Sequence, residues 1–410
     1  MHRSFRSVFV FSAALALAAC GGESEDAPVG SVVATQSVTL AQVDTNRITA
    51  AADEPEVWLT YGGTYDEQRH SGLGQINRDT LPELGVGWVY ETAKPRGAEA
   101  TPIVVDGVMY VSSAWSVVYA LDAKTGEELW VYDPEVSGKD AAKGCCDVVN
   151  RGVAVHNGKV FIGVFDGRLE ALDAATGEVI WSEVTVDQSK PYTITGAPRV
   201  FKDKVIIGNG GAELGVRGYV TAYDVETGEL AWRFYTVPNP EKKPDGAASD
   251  AILAKLANET WGDDGAWVTD GGGGTAWDSI VYDTVNDQIL IGVGNGSPWN
   301  PDVRDPNSDG DNLFLSSILA VDADTGESVS YTHLTLCQRP RLLRRWIRIA
   351  SPRRLTSLRF GSPTVEPTTS SGTRASVRST ATRFPSWGLA GFTRPPSLVV
   401  QKRPRLWSTG

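Results

Sequence analysis

The repeated part of the chain alternates short apolar runs with turn-forming residues and shows no helical period. Apolar residues at every third or fourth position indicate helices, whereas short runs rich in Val, Ile and Tyr are typical of strands. Such runs recur between turns, and the clearest are Ile103–Val105, Met109–Ser112, Val117–Leu121, Val160–Val164 and Val205–Gly208. The pattern predicts an all-β fold made of many short strands.

A stretch that ends in Trp occurs three times. The first copy, Ala120–Trp130, reads ALDAKTGEELW, and it returns as Ala171–Trp181 and Ala222–Trp232. A fourth copy, Ala320–Glu327, follows after an inserted segment. Several strands in each repeat of about 50 residues match the blade of a β-propeller, which has four antiparallel strands.

Each copy has an Asp and a Gly at the offsets that a tight turn needs. Asp122 can accept hydrogen bonds from backbone N–H groups two residues on, and Gly126 can adopt the positive φ of the turn. The Trp at the end of each copy is predicted to dock against the neighbouring blade. We therefore predict an all-β β-propeller of Trp-docked four-stranded blades.

The composition agrees with this fold and excludes several functions. The 410 residues include 43 Gly and 13 Trp but only 2 Met, which suits turns and strands better than packed helices. A net charge of −12 argues against a nucleic-acid partner. Four Cys exclude a disulfide-dense scaffold, and four scattered His exclude a His-rich metal site.

Residues 1–20 have the pattern of an export signal. A basic start precedes an apolar run from Val8 to Ala19 that is too short to span a bilayer. The run ends in LAACG, which resembles a bacterial lipobox with Cys20 as the lipidated residue; the alternative is ordinary cleavage near Ala19. Residues 21–54 are predicted to be a flexible tether. We expect a periplasmic protein whose only membrane contact is a lipid anchor.

The charge balance changes abruptly at the end of the fourth copy. Residues 331–410 hold fourteen Arg and one Lys against a single acidic residue, whereas residues 1–330 hold 23 basic and 49 acidic residues. Ser330 also stands where the repeat predicts Trp. We predict that residues 55–329 form a partial propeller and that residues 330–410 are a non-native, out-of-frame or chimeric segment. The alternative is a disordered basic interaction tail.

Two adjacent cysteines lie in the segment Gly144–Gly152, which reads GCCDVVNRG. Metal-binding cysteine pairs usually have two to four residues between them, so Cys145 and Cys146 do not form a metal motif. They can join in a vicinal disulfide, which the oxidising compartment of an exported protein would preserve. The alternative is two buried thiols.

Three glycine-rich segments can bring backbone close to a ligand, although each alone is more often a plain propeller turn. They are GNGGAELGVRG at 208–218, GGGGTAWD at 271–278 and GVGNGSPWN at 292–300. The first lacks the GK[ST] and GxGxxG patterns of phosphate-binding loops. Glu213 offers a carboxylate, Trp277 a flat aromatic face and Asn295 a neutral oxygen. Glu213 and Asn295 together suit Ca²⁺, which prefers oxygen ligands.

These motifs, with RGAEATP at 96–102 and TITGAPR at 193–199, resemble the catalytic domain of quinoprotein alcohol dehydrogenases. The resemblance covers residues from Trp58 to Glu327 and keeps the motifs in the order of that family. It implies an eight-bladed propeller that holds pyrroloquinoline quinone (PQQ) and Ca²⁺ on its axis. This chain would cover roughly the first half of that propeller.

The resemblance also implies a role for each matching residue. A disulfide between Cys145 and Cys146 would press on one face of the quinone, and Trp277 would stack on the other. Glu213 and Asn295 would bind Ca²⁺. The remaining contacts, to the carboxylates and ring edge of PQQ, would come from Glu99, Arg151, Thr195, Gly211, Ala212 and Thr275.

The implied activity is oxidation of small primary alcohols by hydride transfer to Ca²⁺-bound PQQ, with electrons passed to a periplasmic acceptor such as a cytochrome c. The Trp-Asp-Tyr stretch that carries the catalytic base of the family has no match here, so no catalytic residue is assigned and the chain as written is expected to be inactive. No Cys-x-x-Cys-His occurs, so no haem is expected in this chain.

Two other functions fit the same fold. One is a sugar dehydrogenase of the same cofactor class. The other is a non-enzymatic lipoprotein β-propeller that serves as a scaffold for outer-membrane assembly. A scaffold would have no reason to keep Cys145, Cys146, Glu213, Trp277 and Asn295 in cofactor positions.

Overall fold

The computed structural model describes residues 40–94, 96–308 and 310–333, which contain sixteen strands in four antiparallel sheets of four strands each. In every sheet the strands are consecutive in the chain. The first sheet contains β1 (Ile103–Val105), β2 (Val108–Ser112), β3 (Val118–Asp122) and β4 (Glu128–Tyr132), and the second contains β5 (Ala154–His156), β6 (Lys159–Gly163), β7 (Arg168–Asp173) and β8 (Val179–Val184). The third contains β9 (Arg199–Phe201), β10 (Lys204–Gly208), β11 (Tyr219–Asp224) and β12 (Leu230–Tyr235), and the fourth contains β13 (Ile280–Asp283), β14 (Gln288–Gly292), β15 (Ser317–Asp322) and β16 (Ser328–His333). The prediction of an all-β fold with four-stranded blades is confirmed.

The repeated sequence forms the turn between the last two strands of each sheet. In the first sheet the Asp122 carboxylate accepts hydrogen bonds from the backbone N–H groups of Lys124 (3.0 Å) and Thr125 (2.7 Å), and Gly126 has a φ of +74°. The other three sheets repeat this turn. The Thr125 hydroxyl also donates to this carboxylate (2.8 Å), and together with the backbone N–H groups it holds the pKa of Asp122 below its ordinary value. The turn chemistry read from the sequence therefore sets the register of these strand pairs.

Each Trp of the repeat docks on the next sheet, as predicted. The Trp130 indole N–H donates to the carbonyl of Ala174 (3.0 Å), and its ring covers Gly177 in the following turn. Trp181 and Trp232 make the same pair of contacts one sheet further on. Because each ring lies directly over a glycine of the next sheet, the same contact sets the spacing between neighbouring sheets.

A fourth docking residue was not predicted. Trp88 donates to the carbonyl of Ala123 (3.3 Å) and its ring covers Gly126, although no copy of the repeat surrounds it. At the other end of the array Ser330 pairs with Ala320, in the register where the other three copies have Trp.

The segment Leu40–Asp53, called the strap below, is folded and lies across one end of the sheets. Ala41, Val43 and Ile48 are fully buried, and α1 (Thr45–Thr49) occupies its middle. Its backbone pairs with the turn between β5 and β6. The folded part of the chain thus begins earlier than the boundary after residue 54 that composition suggested, because apolar residues spaced along the strap are buried by the sheets.

The inserted segments carry three further short helices: α2 (Asp250–Lys255), α3 (Trp267–Asp270) and α4 (Pro301–Arg304). The first of these lies in the insertion that follows β12. Arg217 holds the start of this insertion through a bidentate ion pair with Asp245 (2.7 and 2.9 Å). In the part of the chain that the structure describes, no helix is long and apolar enough to cross a membrane. The export signal, Cys20 and the basic segment from residue 334 onward lie outside the described residues.

Candidate functional site

Most of the predicted site residues converge on a cavity of about 200 Å³ at the end of the sheets opposite the strap. Its residues precede the first strand or follow the second strand of a sheet, and in antiparallel pairs these two positions lie at the same end. The cavity is lined by Gly144, Cys145, Cys146, Asp147, Val149, Arg151, Thr193, Thr195, Gly210, Gly211, Glu213, Thr275, Trp277 and Asn295. Five segments from three sheets therefore form one site.

The cysteine loop is held by a buried asparagine. Asn150 is fully buried, accepts from the Ser112 hydroxyl (2.6 Å) and donates to the carbonyl of Gly163 (2.9 Å). Upstream of it, Cys145 and Cys146 are joined in a disulfide and are exposed at the cavity. The structure thus decides between the two readings of this pair: the cysteines form a vicinal disulfide and are not buried thiols.

The first glycine-rich segment places Glu213 at the cavity. Gly211 has a φ of +100°, and a Cβ there would lie 2.3 Å from the carbonyl oxygen of Pro191. Only glycine can have this backbone conformation so close to that carbonyl oxygen. The short turn Ala212–Leu214 that follows carries the Glu213 side chain. In the described part of the chain the Glu213 carboxylate has no hydrogen-bond or ion-pair partner.

The second glycine-rich segment packs against the third. Residues 271–274 are four consecutive glycines with φ between +68° and +79°. A Cβ on Gly273 would lie 2.8 Å from the carbonyl oxygen of Asn295, and the Gly274 N–H donates to that same oxygen (2.8 Å). This close packing brings Thr275 and Trp277 to the same cavity as the Asn295 side chain.

Arg151 is the central cation of the cavity. Its guanidinium pairs with Glu99 (3.1 Å), donates to the carbonyl of Thr195 (3.3 Å) and lies 4.9 Å from the ring centroid of Trp277. A second pair, between Arg96 and Asp147, borders the disulfide and holds the pKa of Asp147 below its ordinary value. The cavity therefore offers the Arg151 guanidinium beside a flat aromatic surface, a combination that suits a planar anionic ligand.

The structure places most, but not all, of the predicted residues at the cavity. Glu99 reaches it through its ion pair with Arg151, and Ala212 is buried behind Gly211 and lines no part of it. Sequence reasoning missed several residues that do line it: Gly144, Asp147, Val149, Thr193 and Gly210. All five lie inside a quoted motif, and that position was the available signal.

Glu213 and Asn295 are the oxygen donors that could hold a cation. No group of three or more His, Cys, Asp or Glu side chains with metal-binding geometry occurs among the described residues. Ca²⁺ takes six to eight oxygen ligands, so a cation here would take most of its ligands from a bound molecule, backbone carbonyls or water. The unpaired Glu213 carboxylate fits such a cation, because it leaves a negative charge at the cavity that no described side chain neutralises.

Comparison with known proteins identifies what this chain is similar to. Residues 58–332 match the family described as "PQQ: Glucose/ethanol/alcohol dehydrogenase, beta-propeller domain". The dehydrogenase subunit of the quinone alcohol dehydrogenase of Gluconobacter oxydans (strain 621H) is 54% identical over 301 residues, which are 71% of this chain and 40% of that protein. The 1-butanol dehydrogenase (cytochrome c) of Thauera butanivorans is 50% identical over 277 residues, 66% of this chain and 39% of that protein.

Solved structures lead to the same group. The structure of quinohemoprotein alcohol dehydrogenase ADHIIG from Pseudomonas putida HK5 superposes with a TM-score of 0.68 at 57% identity, over 72% of this chain and 42% of that one. This chain spans about two fifths of the length of the relatives that it matches.

Proposed function

The chain belongs to the family of PQQ-dependent alcohol dehydrogenases, and we propose that its cavity binds PQQ and serves the oxidation of small primary alcohols. One observation carries the proposal: loops distant in the sequence bring a disulfide, an arginine and a tryptophan face together around one cavity. PQQ is planar and carries three carboxylates, so this chemistry is complementary to it. When bound, PQQ supplies the group that accepts a hydride from the alcohol.

The residues at the cavity divide into two tasks. The Trp277 ring and the Cys145–Cys146 disulfide offer flat surfaces between which a planar ring can be held. Arg151, with the hydroxyls of Thr195 and Thr275, offers donors for carboxylates. Arginine suits this task because its planar donors match the geometry of a carboxylate.

We propose Ca²⁺ as the cation held by Glu213 and Asn295. A carboxylate and an amide oxygen are the ligands that this hard cation prefers. A bound cation would also polarise a carbonyl of the cofactor as a Lewis acid. Removing the Glu213 charge should therefore weaken cation and cofactor binding together.

The test is a PQQ titration of the purified chain with Ca²⁺ or with a chelator present, followed by the absorbance and induced circular dichroism of bound PQQ. We expect binding only with Ca²⁺, weakened by Trp277→Ala and by Glu213→Gln. Glu178→Gln, an exposed glutamate on a repeat turn, is the matched control and should bind as the parent does. Equal binding by all variants, or binding that ignores the chelator, would contradict the proposal.

Substrate and electron acceptor are assigned by the same reasoning. We propose a small primary alcohol as substrate and a cytochrome c or another periplasmic carrier as acceptor; one relative is named as a cytochrome c-linked 1-butanol dehydrogenase. The scaffold alternative is not favoured, because the cavity keeps the family motifs. We also propose that the chain as written does not turn over alcohol by itself. Alcohol-dependent reduction of a dye by the PQQ- and Ca²⁺-loaded chain would refute this last point.

A periplasmic location with a lipid anchor at Cys20 is likewise a proposal, supported by the pattern of residues 1–21. Labelling of cells with a palmitate analogue tests it. The parent should incorporate label and Cys20→Ser should not. Label in both proteins, or in neither, would contradict lipidation at this residue.

A further inference from the structure

The segment Trp58–Arg69, called the axial segment below, contacts the first strands of three sheets. Trp58 exchanges both backbone hydrogen bonds with the middle residue of β1 (2.8 and 2.9 Å). Tyr65 donates its hydroxyl to a backbone carbonyl of β9 (3.0 Å) and packs edge-on against a tyrosine of β13. The segment therefore contacts β1, β9 and β13, each the edge strand that begins its sheet.

Arg199, the first residue of β9, is buried between the axial segment and the residues beneath the cavity. Its side chain is 7% exposed, with Nε 3.7 Å from the Glu67 carboxylate and Nη2 4.0 Å from the Asp278 carboxylate. Nη1 donates to the carbonyl of Ala197 (2.8 Å), and the guanidinium lies 4.0 Å from the ring centroid of Tyr61. Two carboxylates from distant parts of the chain thus share one buried cation.

The position of this guanidinium depends on both carboxylates. Burial lowers the pKa of Arg199 and raises the pKa of Glu67. Arg199 Nε and the Oδ1 atom of Asp278 are both buried without a hydrogen-bond partner among the described residues. Because an uncompensated buried charge is costly, removing the charge of Glu67 should draw the guanidinium and Asp278 together.

A shift of Asp278 reaches the cavity directly. Asp278 follows Trp277, and the backbone of both residues packs on Gly196: a Cβ there would lie 2.4 Å from the Trp277 carbonyl oxygen and 3.6 Å from the Asp278 Cα. Close packing of this kind transmits displacements instead of absorbing them. Thr195, the neighbour of Gly196, lines the same cavity.

We propose that Arg199 is a positioning residue for Trp277, and that it joins the axial segment to the cavity through Glu67 and Asp278. Arg199 does not itself line the cavity and acts on Trp277 only through Asp278. The inference rests on the proposed function only in taking Trp277 as the surface for the cofactor. The coupling between the axial segment and Trp277 is a property of the chain alone.

Amide hydrogen exchange of the full chain tests that coupling without cofactor. In Glu67→Gln, exchange at residues 276–279 should rise roughly tenfold. Glu54→Gln is the matched control, because Glu54 also pairs with an arginine, Arg47 (2.8 Å), but does not contact Arg199. It should leave exchange at 276–279 unchanged. Unchanged exchange in Glu67→Gln, or an equal rise in Glu54→Gln, would overturn the inference.

A second carboxylate variant and a binding measurement complete the test. Asp278→Asn should produce the same local rise as Glu67→Gln, so that the result stands even if one variant folds poorly. With saturating Ca²⁺, Glu67→Gln should raise the Kd for PQQ roughly tenfold and Glu54→Gln should not. If the parent chain binds no PQQ, the proposed function fails, while the exchange comparison still decides whether Arg199 positions Trp277.

Discussion

Single buried polar residues hold the loops of the cavity in place. Asn150 fixes the cysteine loop, and Asn209 does the same for the next loop, where its side chain accepts from the backbone N–H of Tyr219 (2.9 Å) and donates to the carbonyl of Gly210 (3.1 Å). Both asparagines are fully buried. Side chains of this kind satisfy backbone groups that no strand can pair, and they allow irregular loops to stay ordered beside a ligand site.

His156 makes stability depend on pH at the opposite end of the sheets. It is buried, its Nδ1 has no hydrogen-bond partner among the described residues, and burial lowers its pKa below the ordinary value. The carboxylates around it, Asp44, Glu226 and Asp203, oppose this shift, whereas Lys159 adds to it. The folded state therefore binds a proton at His156 less readily than the unfolded state does.

The sign of the effect follows from linkage. The contribution of His156 is fully present above its unfolded pKa of about 6.5 and is lost as pH falls toward the lower folded pKa. We expect the free energy of unfolding in urea to decrease between pH 7.5 and pH 5.5, and His156→Gln to reduce that decrease. His70→Gln, at an exposed histidine, should leave it unchanged. An identical pH dependence in His156→Gln and the parent would contradict the prediction.

At the scale of the element, the docked tryptophans join one sheet to the next. Trp130→Phe keeps most of the ring packing but loses the hydrogen bond to Ala174, so it should cost about 1 kcal/mol of stability. Trp130→Ala also leaves a cavity between two sheets and should cost about 3–5 kcal/mol. Trp299, which is 70% exposed, is the control: Trp299→Phe should change urea unfolding little. Equal costs for Trp130→Phe and Trp299→Phe would contradict a docking role.

The glycine under each tryptophan allows a separate test of the steric requirement. Gly177 has a φ of +75°, and a Cβ there would lie 2.7 Å from the Trp130 ring. Gly107 has a φ of +81°, but its Cβ would meet no atom within 4 Å. Gly107→Ala should therefore cost about 1 kcal/mol for the backbone conformation alone.

Gly177→Ala carries the same backbone cost and also displaces the tryptophan. It should cost about 1–3 kcal/mol more than Gly107→Ala in urea unfolding. The difference between the two variants measures how tightly the ring is held against the turn. Equal losses would mean that the ring moves aside freely and does not determine the offset between sheets.

For the molecule as a whole, the strap and the axial segment connect sheets that the repeats join only to their neighbours. The strap contacts the first sheet through Asp106, whose carboxylate accepts from the backbone of Ala41 (2.9 Å), and the third through Lys202, whose N–H donates to the Thr45 hydroxyl (2.6 Å). Its backbone also pairs with the second sheet. One short segment thus bridges three sheets.

If the strap no longer packs on the sheets, all four sheets should lose stability together. Ile48→Ala removes a fully buried side chain and should cost about 2–5 kcal/mol. Arg47→Gln removes only half-buried ion pairs of the same segment and should cost less than about 1 kcal/mol. Urea unfolding, together with hydrogen exchange at the turns of the sheets, measures the loss of stability in each variant. A loss in Ile48→Ala no larger than that in Arg47→Gln would show that the strap is not part of the core.

Local chemistry made the repeated features predictable from the sequence. The turn around Asp122 and Gly126 depends on residues within one short stretch. The regular spacing of its four copies therefore predicts the strand pairs, the blade repeat and the docking Trp. Motif order was sufficient to select most of the site residues, including the disulfide pair and Glu213. The turn needs only interactions between residues that are close in the chain, whereas the site residues were selected by their resemblance to a family.

Features that depend on distant contacts were decided only by the tertiary structure. Nothing around Trp88 or in the strap shows that they pack on the sheets, because their partners lie far along the chain. The same holds for Ala212, which is buried and does not line the cavity although its neighbours Gly211 and Glu213 do. Arg199 meets Glu67 and Asp278 only because the axial segment returns between the sheets. Short-range patterns therefore predict the repeating unit and its turn chemistry, and the packing of the sheets decides which of these side chains meet.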